Sequence, residues 1–229
     1  MSTKHAPETE QKDLDLGEVY TRTELWIENN KKAVTYGGLG LVVVVLLAVG
    51  YKKLYAEPRA TEASENIWKA QYYFEIDSLD KAINGDGNYY GFDYIASEYG
   101  GTPSGSLAHF YLGSIYMQKG EYELAIEHYK KASPGDDVLR VLAVGNQGDA
   151  LVELGRTDEA LARFEKAASM ETNDFTTPLF LMKAGLIYQE KGDWKKAAKA
   201  FGRIAQEFPN SAEVMQARKH LGRAEQMAG

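Results

Sequence analysis

The chain has 229 residues, 44% of them hydrophobic and 26% charged, a balance that suits a folded protein rather than a disordered one. A net charge of -7 and the lack of a Lys/Arg cluster exclude broad binding to nucleic acid, which needs cations to displace counterions from phosphates. With no cysteine there is no disulfide framework, no thiolate nucleophile, no Cys-based zinc site and no acylated-cysteine lipoprotein anchor.

Residues 1 to 32 read as an N-terminal tail. The first 17 are polar without apolar periodicity and are expected to be disordered. Weak helical character begins at Leu16 and runs to Lys32, with Leu25, Trp26 and Ile27 approaching an apolar segment; Trp26 suits an interfacial anchor, and a docking epitope is the alternative. Ala33 to Tyr51 is uncharged over nineteen residues and is bracketed by Lys31-Lys32 and Lys52-Lys53. At about 1.5 Å per residue such a helix spans a hydrocarbon core of about 30 Å, with Tyr36 and Tyr51 near the two interfaces. A cleaved signal peptide has a shorter apolar run and a short basic leader, and a buried soluble helix is the other alternative. Within fifteen residues, Arg22, Lys31 and Lys32 on one side balance Lys52, Lys53 and Arg59 on the other, so flanking charge leaves the orientation open. Residues 52–60 read as a linker, with Pro58 interrupting any continuous helix before a new one starts near Thr61.

The rest of the chain is repetitive. From Ser106, the residues Ala108, Leu112, Gly113, Tyr116, Gly120, Tyr122, Ala125, Tyr129 and Ala132 set a pattern. Gly148, Leu151, Gly155, Ala160, Phe164 and Ala167 repeat it, as do Gly185, Tyr188, Gly192, Trp194, Ala197, Phe201, Ile204 and Pro209. Gly113, Gly148 and Gly185 are 35 and 37 residues apart, near a period of about 34. The small residues let two antiparallel helices approach, the aromatics fill the space between them, and Gly120, Gly155 and Gly192 take the turns. This pattern resembles tandem tetratricopeptide repeats (TPRs), helix pairs that stack into a solenoid. The fold expected is therefore all-α: one N-terminal transmembrane helix, then a solenoid of about three to four helix pairs. Residues 61–104 read as a degenerate first repeat, in which Trp68, Tyr72 and Ile76 share a helix face, and 105–229 as the array with its capping helix. The run Asn84-Gly85-Asp86-Gly87-Asn88 breaks the first repeat; it reads as a turn, since a calcium loop's Asp spacing and twelfth-position Glu are missing. Ser211 is placed to cap the last helix, from Ala212 to about Met227.

No catalytic constellation can be assembled. There is no phosphate loop, dinucleotide fingerprint or H-E-x-x-H, and His5, His109, His128 and His220 stand at no metal-ligand spacing. No cofactor and no metal are expected, and the chain reads as a binding protein rather than an enzyme. The TPR resemblance implies a groove lined by the second, fifth, ninth and twelfth positions of each repeat. These are Leu107, Phe110, Ser114 and Met117, then Leu142, Gly145, Asp149 and Val152, then Leu179, Met182, Leu186 and Gln189. A clamp for a terminal carboxylate would need Lys, Arg and Asn there; this apolar, methionine-bearing stripe suits an amphipathic helix or hydrophobic segment. The alternative is that a neighbouring helix covers part of the stripe.

The combination of Trp26-Ile27-Glu28-Asn29-Asn30-Lys31, one transmembrane helix and a TPR domain resembles the YfgM family. Phe74-Glu75-Ile76-Asp77-Ser78 and Pro178-Leu179-Phe180-Leu181-Met182-Lys183 look like its Bacteroidetes-type version. The resemblance implies a single-pass protein of the bacterial inner membrane, with its N-terminus cytoplasmic and its repeats periplasmic. It further implies Sec translocon subunits and a membrane-anchored periplasmic chaperone of prolyl-isomerase type as partners, alongside the lipid bilayer. A scaffold for cell-wall or outer-membrane assembly and a cytoplasm-facing adaptor are the alternatives. The Gly-rich break at 84–88 departs from the family pattern.

Overall fold

The computed structural model describes residues 24–229. The tail expected over residues 1–17, and the first part of the weak helix from Leu16, lie outside the described residues. The chain divides into two units, Met1–Tyr55 and Ala56–Gly229.

In the first unit, residues 24–29 are helical and helix α1 runs from Lys31 to Tyr51. None of α1 is buried, although Leu39, Leu41, Leu46 and Leu47 lie along it. It is long and apolar enough to cross a membrane. A run such as Val42-Val43-Val44-Val45 is a poor helix former in water. In hydrocarbon the helix is enforced, because every backbone polar group must find its partner within the segment.

The second unit contains no strand among the described residues. The expected linker at 52–60 is helical instead: Lys52–Ala56 form one π-helical turn and α2 spans Glu57–Glu75. Pro58 does not interrupt it: the backbone stays helical from the π turn into α2, with the π turn ending at Ala56, just before the proline. Helix α2 buries Ala63, Ile67, Ala70 and Tyr73. Trp68, Tyr72 and Ile76 do share a face, and it is the exposed one. The second half of this first repeat is split into α3 (Leu79–Asn84) and α4 (Phe92–Glu98), joined by the Gly-rich break.

That break is a turn closed by its own donors. Gly85 and Gly87 have φ of 82° and 90°, which other residues adopt only at a cost. The Asp86 carboxylate accepts from the backbone N–H of Asn88 and of Tyr89, both at 2.9 Å, and from the Tyr73 hydroxyl at 2.6 Å. The Tyr73 bond, followed by these two N–H groups, lowers the Asp86 pKa to about 2, and the same contact raises that of Tyr73 to about 12. Replacing Asp86 by Ala is expected to speed amide exchange at Asn88 and Tyr89. Unchanged hydrogen–deuterium exchange there would assign the ordering of the turn to its glycines instead.

Three regular pairs follow: α5 (Pro103–Gln118) with α6 (Tyr122–Lys131), α7 (Asp137–Glu153) with α8 (Thr157–Met170), and α9 (Thr176–Glu190) with α10 (Trp194–Glu207). N-cap side chains close the first helix of two pairs, and in the third Asn173, two residues before the N-cap Phe175, accepts from the helix's first N–H. Thr102 Oγ1 accepts from Gly105 N, Asp136 Oδ1 from Leu139 N, and Asn173 Oδ1 from Thr176 N. All three pairs turn at a left-handed glycine, Gly120, Gly155 and Gly192, with φ of 73°, 70° and 74°. Each glycine is followed by the same backbone bond: Glu121 N to Tyr116 O, Arg156 N to Leu151 O, and Asp193 N to Tyr188 O.

One lock repeats inside the pairs. A Cβ added to Gly113, Gly148 or Gly185 would lie 2.6, 2.5 or 2.5 Å from the ring of Tyr129, Phe164 or Phe201. The first helix of each pair thus carries a notch, and the aromatic ring sixteen positions later fills it. Ala125, Ala160 and Ala197 are fully buried beside these rings. The array ends in α11 (Val214–Ala228), which buries Ala217 and Ala224 and packs on α10, with the His220 ring stacked on Phe201 and Leu221 beside Gly202. Ser211 does not cap it: the helix starts three residues later, and Ser211 Oγ is buried without a hydrogen-bond partner.

Candidate functional site

Helices α5, α7 and α9 are the first members of their pairs and carry the expected groove positions. Their exposure is uneven. Val152 and Leu186 are open, at 44% and 40% of full exposure, while Leu107, Phe110, Met117, Leu142 and Leu179 are half-buried. Met182 is buried and belongs to the core. Gly145 is buried as well, because the Phe180 ring lies where its Cβ would be. The polar positions are engaged. Ser114 Oγ donates to Phe110 O at 3.2 Å and lies 3.1 Å from the Tyr129 hydroxyl, which also accepts from Asn146 Nδ2 at 3.3 Å. Gln189 Oε1 is 3.0 Å from His220 Nδ1, which ties α9 to α11.

Asp149 is paired with Lys183, one repeat further on. The Lys183 ammonium also lies 5.5 Å from the Phe164 ring centroid and 5.8 Å from that of Phe180. One cation therefore neutralises the carboxylate at an expected groove position and rests on two core rings, while the exposed members of the expected set are the apolar Val152 and Leu186. Met182 is among the expected site residues, but its successor Lys183 is the one that reaches the face. Helical phase marks both residues, whereas a pairing across repeats depends on how far one first helix is offset along the next.

Two further features escape the linear reading. The first is an exposed aromatic face on the first repeat. Trp68 and Tyr72, at 51% and 45% exposure, adjoin Tyr89, whose ring meets Trp68 edge-on at 5.7 Å; Tyr90 and Tyr94 stack at 4.0 Å beyond. The Lys69 ammonium lies 4.6 to 5.4 Å from the ring centroids of Trp68, Tyr72, Tyr73 and Tyr89. The i, i+4, i+8 spacing of Trp68, Tyr72 and Ile76 was the signal for this face; it gave the phase but not which side is covered.

The second is a histidine pair. His109 on α5 and His128 on α6 face each other with Nδ1 atoms 3.1 Å apart. Both are half-buried. Burial, then the nearby His128 and Lys131, lowers the His109 pKa to about 4, and burial also lowers that of His128. Both rings are consequently neutral at neutral pH. Among the described residues no group of three or more His, Cys, Asp or Glu is arranged to hold a metal ion.

Comparison with known proteins agrees with this architecture. Two profiles described as tetratricopeptide repeat match the chain, one over residues 106–132 and the other over residues 146–225. A TPR repeat-containing protein of Methanocaldococcus jannaschii is 35% identical over 112 residues, which cover 48% of this chain and 18% of that protein. A TPR repeat-containing protein of Pseudomonas aeruginosa is 31% identical over 114 residues, 50% of this chain and 19% of the relative. The chain thus matches less than a fifth of the length of these curated relatives.

Proposed function

We propose, for a chain whose residues 106–132 and 146–225 are tetratricopeptide repeats, that α1 anchors the array to a membrane and that the array's open apolar face binds protein partners. Repeats of this kind are protein-interaction scaffolds and are typically not enzymes. The observation that carries the reading is the groove itself, where the carboxylate is neutralised and the exposed residues are Val152 and Leu186. A partner helix or extended segment gains affinity there by burying its own apolar side chains. The exposed Trp68 and Tyr72 provide a second surface, of the aromatic kind enriched at binding hot spots.

In the finer reading, the anchor lies in a bacterial inner membrane, the N-terminus is cytoplasmic and the repeats are periplasmic. The array serves the Sec translocon and hands emerging polypeptides to a membrane-anchored prolyl-isomerase-type chaperone. The support for this is the resemblance carried by Trp26 to Lys31 together with the anchor and the repeats. Co-purification of the full chain from membranes in mild detergent tests it. Sec channel subunits and a periplasmic chaperone are the expected partners, whereas cell-wall or outer-membrane assembly proteins in their place would overturn it. Protease added outside spheroplasts is expected to digest residues 61–229; survival of that region would reverse the orientation.

The groove assignment has its own test. Val152→Glu with Leu186→Glu is expected to lower partner recovery by about tenfold, the scale of one or two hot-spot contacts. The melting temperature should hold, since both side chains are exposed. Undiminished recovery would move the interface elsewhere, with the Trp68 face next in line.

A further inference from the structure

We propose that His109 and His128 form a binding site for a divalent transition-metal ion of the zinc type, with the two imidazole Nδ1 atoms as its protein ligands. The site is independent of the partner-binding groove. The two nitrogens are 3.1 Å apart on facing rings whose centroids are separated by 5.2 Å. Zinc–imidazole bonds of about 2.0–2.1 Å at tetrahedral angles place two ligand nitrogens about 3.3 Å apart, so the separation already suits the ion, and each ring must turn until its Nδ1 lone pair leaves the line joining the two nitrogens and points at the metal. The two residues come from different helices of one pair, whose approach is set by the packing of Tyr129 against Gly113. The rings are therefore brought together by the fold and need no chain closure when the ion arrives.

The donor type selects the ion. Imidazole suits zinc, copper and nickel, whereas magnesium and calcium require oxygen donors. Without metal, one ring must carry its proton on Nδ1 to share a hydrogen bond with the other. With metal, both carry it on Nε2, so binding needs a tautomer change in one ring and no net loss of a proton. The Asp93 carboxylate on α4 acts on both rings and favours positive charge there, while Lys131 on α6 opposes it; Glu127 pairs with Lys131 at 2.7 Å and moderates that opposition. The Tyr116 ring, 5.2 Å from that of His128, walls one side. With two protein ligands, the ion would keep positions for water or for a donor from another molecule. Bound ion would tie α5 to α6, and because the unfolded chain offers no such pair, the metal should raise the melting temperature.

The test uses the untagged full chain in detergent, stripped with chelator and titrated with Zn2+. One equivalent is expected to bind per chain by calorimetry and to raise the melting temperature. His109→Asn and His128→Asn should each weaken binding by more than the about 10–100-fold that loss of an outer-shell partner costs. Combining them should add little, since both ligands are already needed. His220→Asn should leave binding unchanged. Should the variants fold poorly, 15N-histidine spectra of the unaltered chain decide the matter, through zinc-dependent shifts at the Nδ1 atoms of His109 and His128. No saturable binding, binding that survives in the double variant, or Nδ1 signals indifferent to zinc would each overturn the proposal.

Discussion

Phe180→Ala is expected to destabilise the array by about 3–5 kcal/mol, the range for emptying a large aromatic site in a core that cannot collapse around it. Phe180 is fully buried, lies against the Phe164 ring at 6.1 Å, and occupies the space where a side chain on Gly145 would be. It links α9 to the pair before it. Its loss should uncouple neighbouring repeats as well as weaken one of them, because solenoid stability is a sum of repeat and nearest-neighbour terms. Urea unfolding of the full chain measures this as a lower midpoint with a broadened transition. A cost below about 1 kcal/mol would mean that α7 and α9 close the gap, which the backbone of Gly145 is positioned to resist.

The second large effect comes from the other side of the same contact. Gly145→Ala should gain about 1 kcal/mol of helix propensity, yet it is expected to be destabilising overall by about 1–3 kcal/mol. The new Cβ would lie 1.9 Å from Phe180 Cζ and 2.0 Å from Cε1, and a fully buried ring has nowhere to turn. The sterics therefore outweigh the propensity. Gly155→Ala provides the control. Open space surrounds it, and its cost of about 1–2 kcal/mol should come from the left-handed backbone alone. Trimming Phe180 to Leu in the Gly145→Ala background should recover part of the loss; strict additivity would show that the two residues do not share the space assigned to them.

Much of the array could be read from the linear chain, for a definite reason. Each pair is held by a glycine and an aromatic a fixed distance apart, so Gly113 with Tyr129, Gly148 with Phe164 and Gly185 with Phe201 are visible as spacing. The turn glycines are legible for the same local cause. What stayed hidden is set by neighbours distant in the chain. Nothing in the linear text of α2 says that Ile67 and Tyr73 meet the core while Trp68 and Tyr72 meet solvent, since both faces carry bulky apolar groups. The Asp149–Lys183 pair depends on the offset between repeats, and the His109–His128 pair on the packing of one helix against its partner. Pro58 shows a different failure: it is accommodated just after a π-helical turn, and nothing in the linear text of Lys52–Ala56 marks that turn. At the candidate site the groove positions followed from the repeat register, but their accessibility did not. Met182 and Leu186 have similar standing as sequence, and only the latter is exposed.

The buried apolar residues form two cores, one spanning Ala63 to Ile115 and one spanning Ala125 to Ala224, and Tyr116 packs against both. This seam has a consequence for how such chains diversify. A duplication or exchange with its breakpoint in the turn at Gly120 would part Gly113 from the Tyr129 ring that fills it, whereas a breakpoint between pairs, near Gly135, would leave each such glycine and its ring on the same side. Repeat number could then change between related chains with these locks kept whole, while a breakpoint inside α7 or α9 would separate Gly145 from the ring that fills its place.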